Sequence, residues 1–310
     1  MISSLLIFTV ALTLLLVSAR FFTQSAETIG KWLNLPAFVI GVFIVGVGTS
    51  LPELISGILS VRQGVSDILP GNIAGSNISN LLLVTGLAIA LNKKPIKIGS
   101  DYIYIDLHFL IGGFFMFVLI VYDGVIRFSE AWAGILVFIV YSIYLIKNTG
   151  ESSDETLVPK KTAFPIKAFL ILLAAATGIY FGANYTISSL TDLATALQVP
   201  NAIIALTVLS LGTTLPELAV NITAIKRGNA EIAVGNVLGS CVFNTLVIPG
   251  AGAAFGDIQV PATLLYFSIP VMVGAGLLFY LLTQDKRISP WEGILFVIIY
   301  LVFMLKVAGF

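Results

Sequence analysis

Long apolar runs follow one another along this chain and are separated by short polar joints. A helix needs about 20 mostly apolar residues to cross the hydrocarbon core of a bilayer, and these runs reach that length. They lack the alternation of apolar and polar positions that is typical of membrane β-strands. The pattern predicts ten membrane helices, at residues 2–20, 35–61, 67–91, 102–122, 129–146, 165–190, 200–225, 231–254, 261–283 and 289–308.

The composition agrees with this pattern, since 58% of the residues are apolar and only 10% are charged. A soluble domain carries roughly 25% charged residues. Sixteen basic residues balance sixteen acidic ones, so the net charge is zero and does not favour a nucleic acid partner. The single cysteine, Cys241, excludes an internal disulfide and a multi-cysteine metal site. The sequence therefore predicts an all-α integral membrane protein whose main partner is the lipid bilayer, with no organic cofactor and no evident obligate protein partner.

The longest polar joint covers residues 147–164 and is bounded by prolines. It is typical of a linker, here between residues 1–146 and 165–310. Of the basic residues, Arg62, Arg127 and Lys306 fall on the side of the N-terminus, and the others fall on the opposite side. Because cytoplasmic joints collect Lys and Arg, we expect a multi-pass protein of the cell membrane with a cytoplasmic linker and both termini extracellular.

An internal repeat divides the chain in the same way, because residues 41–90 align with residues 205–254 without a gap. The sequence GTSLPEL at 48–54 matches GTTLPEL at 212–218, and GNIAGS at 71–76 matches GNVLGS at 235–240. Five helices per half is an odd number, so the second half enters the membrane from the opposite side. The sequence thus predicts two inverted-topology repeats of five helices, an architecture in which secondary transporters bind substrate near the bilayer midplane.

Two acidic residues, Glu53 and Glu217, are the only ones that fall deep within the predicted helices. A charge at the centre of a bilayer costs about 2.5–3.5 kcal/mol, so such a residue indicates a functional site. No basic residue of a membrane segment lies near enough in the sequence to pair with either one. Two carboxylates without a protein cation bind either protons or metal cations.

A proline precedes each of these glutamates. A proline within a helix removes one backbone hydrogen bond and displaces the carbonyl four residues earlier, which belongs to Gly48 for Pro52 and to Gly212 for Pro216. Freed carbonyls, neighbouring hydroxyls and carboxylates are all oxygen donors. Hard cations such as Ca²⁺ and Na⁺ prefer such ligands.

The second repeated motif, GNIAGS and GNVLGS, supplies the wall of the site that lies opposite the two glutamates. Ser76 and Asn80 are four residues apart and therefore share one helical face, as do Ser240 and Asn244. The glycines of the motif permit close approach between helices. These polar residues could serve only to bond neighbouring helices, but their occurrence in both halves favours a binding site.

The paired motifs resemble the α-repeats of the sodium/calcium exchanger family, and are most similar to the compact prokaryotic members of the wider cation/calcium antiporter superfamily. The resemblance covers all ten predicted helices. It implies an alternating-access antiporter, not an enzyme, that transports Ca²⁺ and Na⁺ through four cation positions between helices 2, 3, 7 and 8. In that family helices 1 and 6 slide across the other helices to switch access.

The resemblance also implies the ligands. Glu53 and Glu217 would be carboxylate ligands shared by Ca²⁺ and Na⁺. The other positions are backbone oxygens of Gly46, Thr49, Ser210 and Thr213, hydroxyls of Ser50, Thr214, Ser76 and Ser240, and the central amides of Asn80 and Asn244. Some relatives, including potassium-dependent exchangers, carry Asp at the position of Asn244, so this sequence disfavours potassium co-transport.

Several functions remain open from the residues. Ca²⁺/H⁺ antiport could use the same carboxylates, although the hydroxyls favour sodium because protons need no hydroxyl cage. A gated cation channel is distinguished by whether ion flux requires a counter-ion. A membrane-embedded enzyme is least favoured, since the sequence has no HExxH motif and no Ser–His pairing within the helices.

Overall fold

The computed structural model describes residues 2–64, 66–92, 95–97, 102–148, 163–196, 210–307 and 309. Within these residues the protein is built of helices and four two-residue strands. The helical segments are α1 (Ile2–Trp32), α2 (Ala37–Arg62), α3 (Ile68–Ala90), α4 (Tyr102–Val121), α5 (Phe128–Asn148), α6 (Ile166–Ala196), α7 (Ser210–Lys226), α8 (Ala230–Ala253), α9 (Leu264–Thr283) and α10 (Pro290–Val307). The strands are β1 (Ile96–Lys97), β2 (Val125–Ile126), β3 (Ile258–Gln259) and β4 (Arg287–Ile288).

Eight of the described segments, all except α4 and α7, are long and apolar enough to cross a membrane. The apolar part of α4 is shorter and covers Asp106–Val121. The helix predicted at 200–225 is described only from Ser210, because residues 197–209 lie outside the described ranges. The described helices support a multi-pass membrane protein.

The first helix is longer than the 2–20 predicted from hydropathy, since α1 continues to Trp32. Its second half contains Thr23, Gln24 and Ser25, which lower the mean hydropathy. One face of this half is nevertheless buried at Phe22, Ala26 and Ile29, which follow the helical spacing. Packing of that face, and not uniform apolarity, extends the helix.

Helices α2 and α3 contain irregular turns near the repeated sequence motifs. A π-helical segment covers Gly41–Gly46 in α2, and another covers Ser79–Val84 in α3. Helix α2 is broken at Ser50, whose φ of −89° and ψ of 0° are not helical, and Pro52 opens the next segment. Pro216, by contrast, lies within α7 without interrupting it. The two prolines therefore act differently, although the sequence predicts the same role for both.

Helices α2 and α8 approach closely through their glycines. A Cβ atom built on Gly235 would lie 2.3 Å from the carbonyl oxygen of Phe38, and one on Gly239 would lie 2.6 Å from the Cα of Val42. Any larger residue would force the backbones apart. This contact agrees with the close approach expected from the GNVLGS motif.

Two short antiparallel ribbons link loops that are far apart in the sequence. In the first ribbon β1 pairs with β4, with Ile96 opposite Ile288, and in the second ribbon β2 pairs with β3, with Ile126 opposite Ile258. The α2–α3 turn lies beside the second ribbon, where the Ser66 hydroxyl accepts a 3.1 Å hydrogen bond from the Gln259 N–H. The sequence does not predict these strands, because two residues are too few to display a strand period.

Helix α1 packs along α6 and also against α7. Ala19, Phe22 and Ala26 of α1 belong to one apolar cluster with Val220 and Ala224 of α7. This cluster is separate from the main core, which α3, α4, α5, α8, α9 and α10 share. The pair α1–α6 thus has its own packing surface against the helices that carry the repeated motifs.

Candidate cation site between helices α2, α3, α7 and α8

The four helices with the repeated motifs pack against one another and bring the two glutamates into one buried region. Glu53 lies in the first turn after the break in α2, and Glu217 follows Pro216 in α7. Their side chains are 6% and 2% exposed. The two carboxylates are close enough to interact electrostatically. The chain therefore buries two interacting acidic groups within the membrane segments, a costly arrangement without a cation.

Hydrogen bonds connect α2 to α8 and α7 at this depth. The Thr49 hydroxyl donates to the Asn236 side-chain oxygen over 3.2 Å, and the Asn236 amide nitrogen donates to the Asn221 oxygen over 2.6 Å. The Ser240 hydroxyl donates to the Gly46 carbonyl over 3.1 Å. Three helices are thereby held in register beside Glu217.

The α2–α3 wall is bonded less directly. The Ser76 hydroxyl donates to the Asn72 oxygen over 3.3 Å, and the Asn72 amide nitrogen lies 3.4 Å from the Ser56 hydroxyl oxygen. Behind this wall the Asn244 amide nitrogen donates to the Asn77 oxygen over 3.4 Å. The carbonyl oxygens of the Asn80 and Asn244 side chains remain without a hydrogen bond.

Buried oxygens without a hydrogen-bond partner concentrate at this site. Buried polar atoms in proteins are nearly always hydrogen-bonded, so such a group requires an explanation. Among the described residues, five of these oxygens belong to predicted site residues: Ser50 Oγ, Glu53 Oε2, Asn80 Oδ1, Glu217 Oε2 and Asn244 Oδ1. Carboxylate, hydroxyl and amide oxygens are the ligands of Na⁺ and Ca²⁺, so the arrangement fits a hard cation.

A cavity of about 610 Å³ reaches the site from one side. It lies between α2 and the pair α1–α6, and its walls include Phe22, Glu53, Asn72 and Asn184. It extends along the part of α2 that leads to the α2–α3 turn, and hence toward the second ribbon. Glu53 lines this cavity, whereas Glu217 does not.

The predicted site residues whose side chains are described are all buried. Ser210 and Thr213 lie in the first turn of α7, and their side chains lie outside the described part of the chain. The buried ones are Gly46, Thr49, Ser50, Glu53, Ser76, Asn80, Thr214, Glu217, Ser240 and Asn244. The structure thus brings the described members of the predicted set onto four packed helices.

The sequence does not single out one further buried acidic residue, which lies near the start of a helix. Asp106 of α4 is fully buried, and neither of its carboxylate oxygens has a hydrogen bond of normal geometry. The buried Tyr141 of α5 interacts with it. Asp106 is only a few residues from the start of α4, but α4 packs against α5, α8 and α9 at that depth. Its apolar neighbours in the sequence, Ile105 and Leu107, were the available signal.

Comparison with known proteins identifies the family of this chain. The sequence model of the sodium/calcium exchanger protein family matches residues 3–149 and 167–308. The chain belongs to this family. The sodium/calcium exchanger MaX1 of Methanosarcina acetivorans is 28% identical over 96% of this chain and 97% of its own length. The uncharacterized membrane protein MJ0091 of Methanocaldococcus jannaschii is 30% identical over 95% of each chain.

A solved structure has the same fold as this sodium/calcium exchanger family member. It is the sodium-calcium exchanger NCX_Mj, soaked with Na⁺ and Sr²⁺, with a TM-score of 0.82 and 27% identity over 97% of each chain. The resemblance seen in the repeated motifs is confirmed. The protein is a membrane-embedded transporter of cations and not an enzyme, and family and fold together support cation/Ca²⁺ antiport.

Proposed function

We propose that the protein is a secondary active Na⁺/Ca²⁺ antiporter in which both ions compete for one site built on Glu53 and Glu217. The observation that carries this proposal is the set of buried oxygens without partners on α2, α3, α7 and α8. Two carboxylates give the site a formal charge of −2. One Ca²⁺ neutralises that charge, and Na⁺ ions use the same oxygens when Ca²⁺ leaves.

The other ligands follow the roles implied by the family. Gly46, Thr49, Ser210 and Thr213 contribute backbone oxygens. Asn80 and Asn244 line the central position. The hydroxyls belong to Ser50, Ser76, Thr214 and Ser240. Neutral oxygens of this kind favour sodium coupling over proton coupling, because a titrating carboxylate alone suffices for protons.

Alternating access is supported by the difference between the two sides of the site. On the side of the second ribbon the cavity leads to Glu53. On the side of the first ribbon the apolar cluster of α1 and α7 fills the corresponding space. An antiporter must expose its site to one side at a time, so we assign this structure to the state open toward the second ribbon.

The proposed topology is ten transmembrane helices in two inverted repeats, residues 1–146 and 165–310, joined by the linker 147–164. The ribbons support it. Strands β1 and β3 occupy the joint between the third and fourth helices of each half, and β2 and β4 occupy the next joint. An inverted repeat exchanges the two membrane faces. If β1 pairs with β4 on one face, β3 must therefore pair with β2 on the other, and both pairings are present.

The basic residues set the orientation of this topology. Lys97 and Arg287 lie in the first ribbon, and Lys226 and Arg227 lie at the end of α7. The positive-inside rule assigns that face to the cytoplasm. Both termini are then extracellular, the protein lies in the cell membrane, and the cavity opens outward.

The test is calcium-45 uptake into proteoliposomes loaded with Na⁺ and diluted into choline, beside vesicles that carry only a pH gradient. We expect uptake driven by the sodium gradient and lost in Glu53→Gln and Glu217→Gln. Glu130→Gln, on the surface at the start of α5, is the matched control and retains uptake. Uptake driven only by the pH gradient would overturn the sodium assignment in favour of Ca²⁺/H⁺ antiport. Uptake that persists in a folded Glu53→Gln protein would overturn the site.

A further inference from the structure

Asn221 lies one helical turn after Glu217 on α7 and is 1% exposed. Its side-chain oxygen accepts the 2.6 Å hydrogen bond from Asn236, and Asn236 in turn accepts the 3.2 Å hydrogen bond from the Thr49 hydroxyl. Thr49 also interacts with the Glu217 carboxylate. A chain of hydrogen bonds therefore runs from Asn221 through Asn236 of α8 to Thr49 of α2, which lies beside the Glu217 carboxylate.

The first half of the molecule has no such anchor. Gly57 stands at the position that corresponds to Asn221, four residues after the glutamate of its motif. Asn72, the counterpart of Asn236, lines the cavity. Its amide nitrogen donates to the Ser56 hydroxyl oxygen over 3.4 Å, a longer hydrogen bond than the 2.6 Å bond from Asn236 to Asn221. The two matched asparagines thus differ in their restraint, and Asn221 accounts for the difference on its side.

The amide nitrogen of Asn221 has no hydrogen-bond partner. It borders a small cavity of about 20 Å³, whose lining is otherwise mostly apolar. A buried amide whose nitrogen makes no bond is retained at a cost of about 1–3 kcal/mol. The functional atom of this side chain is therefore its oxygen, which accepts the hydrogen bond from Asn236.

We propose that Asn221 is a positioning residue for antiport: its oxygen fixes the Asn236 amide, which holds Thr49 beside Glu217. Without it the Asn236 amide can rotate, because its donor loses its partner. The Thr49 hydroxyl and the Glu217 carboxylate then lose their common orientation. The consequence is weaker cation binding, with turnover maintained once the ion is bound. This inference rests on the proposed roles of Thr49 and Glu217.

The test compares Asn221→Ala, which removes the acceptor, with Asn221→Gln, which keeps a neutral amide oxygen. In sodium-driven calcium-45 uptake we expect the alanine variant to raise KM for Ca²⁺ about tenfold, equal to the 1.4 kcal/mol of one lost hydrogen bond, with kcat within about twofold of the parent. The glutamine variant keeps KM closer to the parent value than the alanine variant does. Thr223→Ala is the matched control, because its hydroxyl bonds only within α7, to the Ala219 carbonyl at 2.7 Å.

A purely structural role would leave KM unchanged while lowering thermal stability equally with and without Ca²⁺, and that result would overturn the inference. A glutamine variant as weak as the alanine variant would overturn it as well. In the Asn221→Ala, Asn236→Ala double variant we expect no further rise in KM over either single change. Additive effects would contradict the hydrogen-bond chain. Failure of the parent protein to show sodium-driven uptake would instead defeat the proposed function, so the two failures are distinguishable.

Discussion

The α2–α3 wall and the α7–α8 wall of the site carry the same two motifs but differ in their surroundings. Glu53 borders the cavity, and Ser56 one turn later is exposed. Glu217 has no contact with that cavity, and Val220 after it is fully buried against α1. Similar sequences therefore occupy an open and a closed environment within one molecule.

The difference arises outside the motifs. Helices α1 and α6 leave a gap along α2 that reaches Pro216 of α7, and beyond Glu217 they pack against α7 at Val220 and Ala224. Their position therefore decides how open each wall is. The repeated sequence allows either wall to be open. Under the proposed antiport mechanism, two equivalent walls and one movable pair of helices are enough to expose the site to each side in turn. The following experiments test how complete the difference is.

The largest expected effect is in the accessibility of the two walls. Cys241 is fully buried, so a cysteine introduced elsewhere reacts against a silent background. We expect Ser56→Cys to react with a membrane-impermeant maleimide about a hundredfold faster than Val220→Cys, which requires opening that costs about 2.7 kcal/mol. Rates are measured by mass shift on the ion-free protein in detergent, where the reagent reaches both faces, with the unmodified chain as control. Equal rates would contradict the assignment of open and closed walls.

A smaller effect is expected from the tight contact behind the closed wall. In Gly235→Ala the new Cβ would lie 2.3 Å from the Phe38 carbonyl oxygen, which is backbone and cannot turn away. We expect a loss of about 1–3 kcal/mol in the free energy of unfolding, measured by thermal unfolding in detergent. Gly112→Ala is the matched control, because no described atom lies within 4 Å of its Cβ. It should gain up to about 1 kcal/mol as a better helix former. A similar loss in both variants would remove the contact as an explanation.

The smallest effect concerns the rim of the closed wall. Glu27 of α1 lies 3.4 Å from the Arg227 guanidinium and 3.1 Å from the Asn229 amide nitrogen, both after α7. Partly exposed ion pairs contribute about 0.2–1 kcal/mol, so Arg227→Gln should raise the reaction rate of Val220→Cys by about 1.4- to fivefold. Lys31→Gln is the control, because Lys31 bonds Glu27 within α1 and does not bridge two helices. An unchanged rate in Arg227→Gln would show that the apolar cluster alone closes this side.

The sequence predicts membrane helices and singles out two buried glutamates for a physical reason. Membrane helices are recorded in local hydropathy, and Glu53 and Glu217 stand out because a buried charge is costly. Features that depend on packing between distant elements could not be predicted in this way. The extension of α1 to Trp32, the burial of Asp106 and the anchoring role of Asn221 each require a partner helix.

The asymmetry between the walls was also beyond the sequence. Gly57 and Asn221 differ at matched positions, but neither residue alone indicates which wall is open. That property belongs to the position of α1 and α6, which have apolar faces able to pack in more than one place. The sequence alone therefore does not specify which wall is open, whereas the structure does.

The two ribbons have a mechanical consequence. Each ribbon fastens a loop of the first half of the chain to a loop of the second half. The two ribbons lie at opposite ends of the helices that these loops connect. Helices α3, α4, α5, α8, α9 and α10 flank these strands, and in the described residues neither α1 nor α6 does. In the proposed antiport mechanism the fastened helices form a stiff frame, and the movement of each transport cycle is confined to the surface on which α1 and α6 pack against α2 and α7.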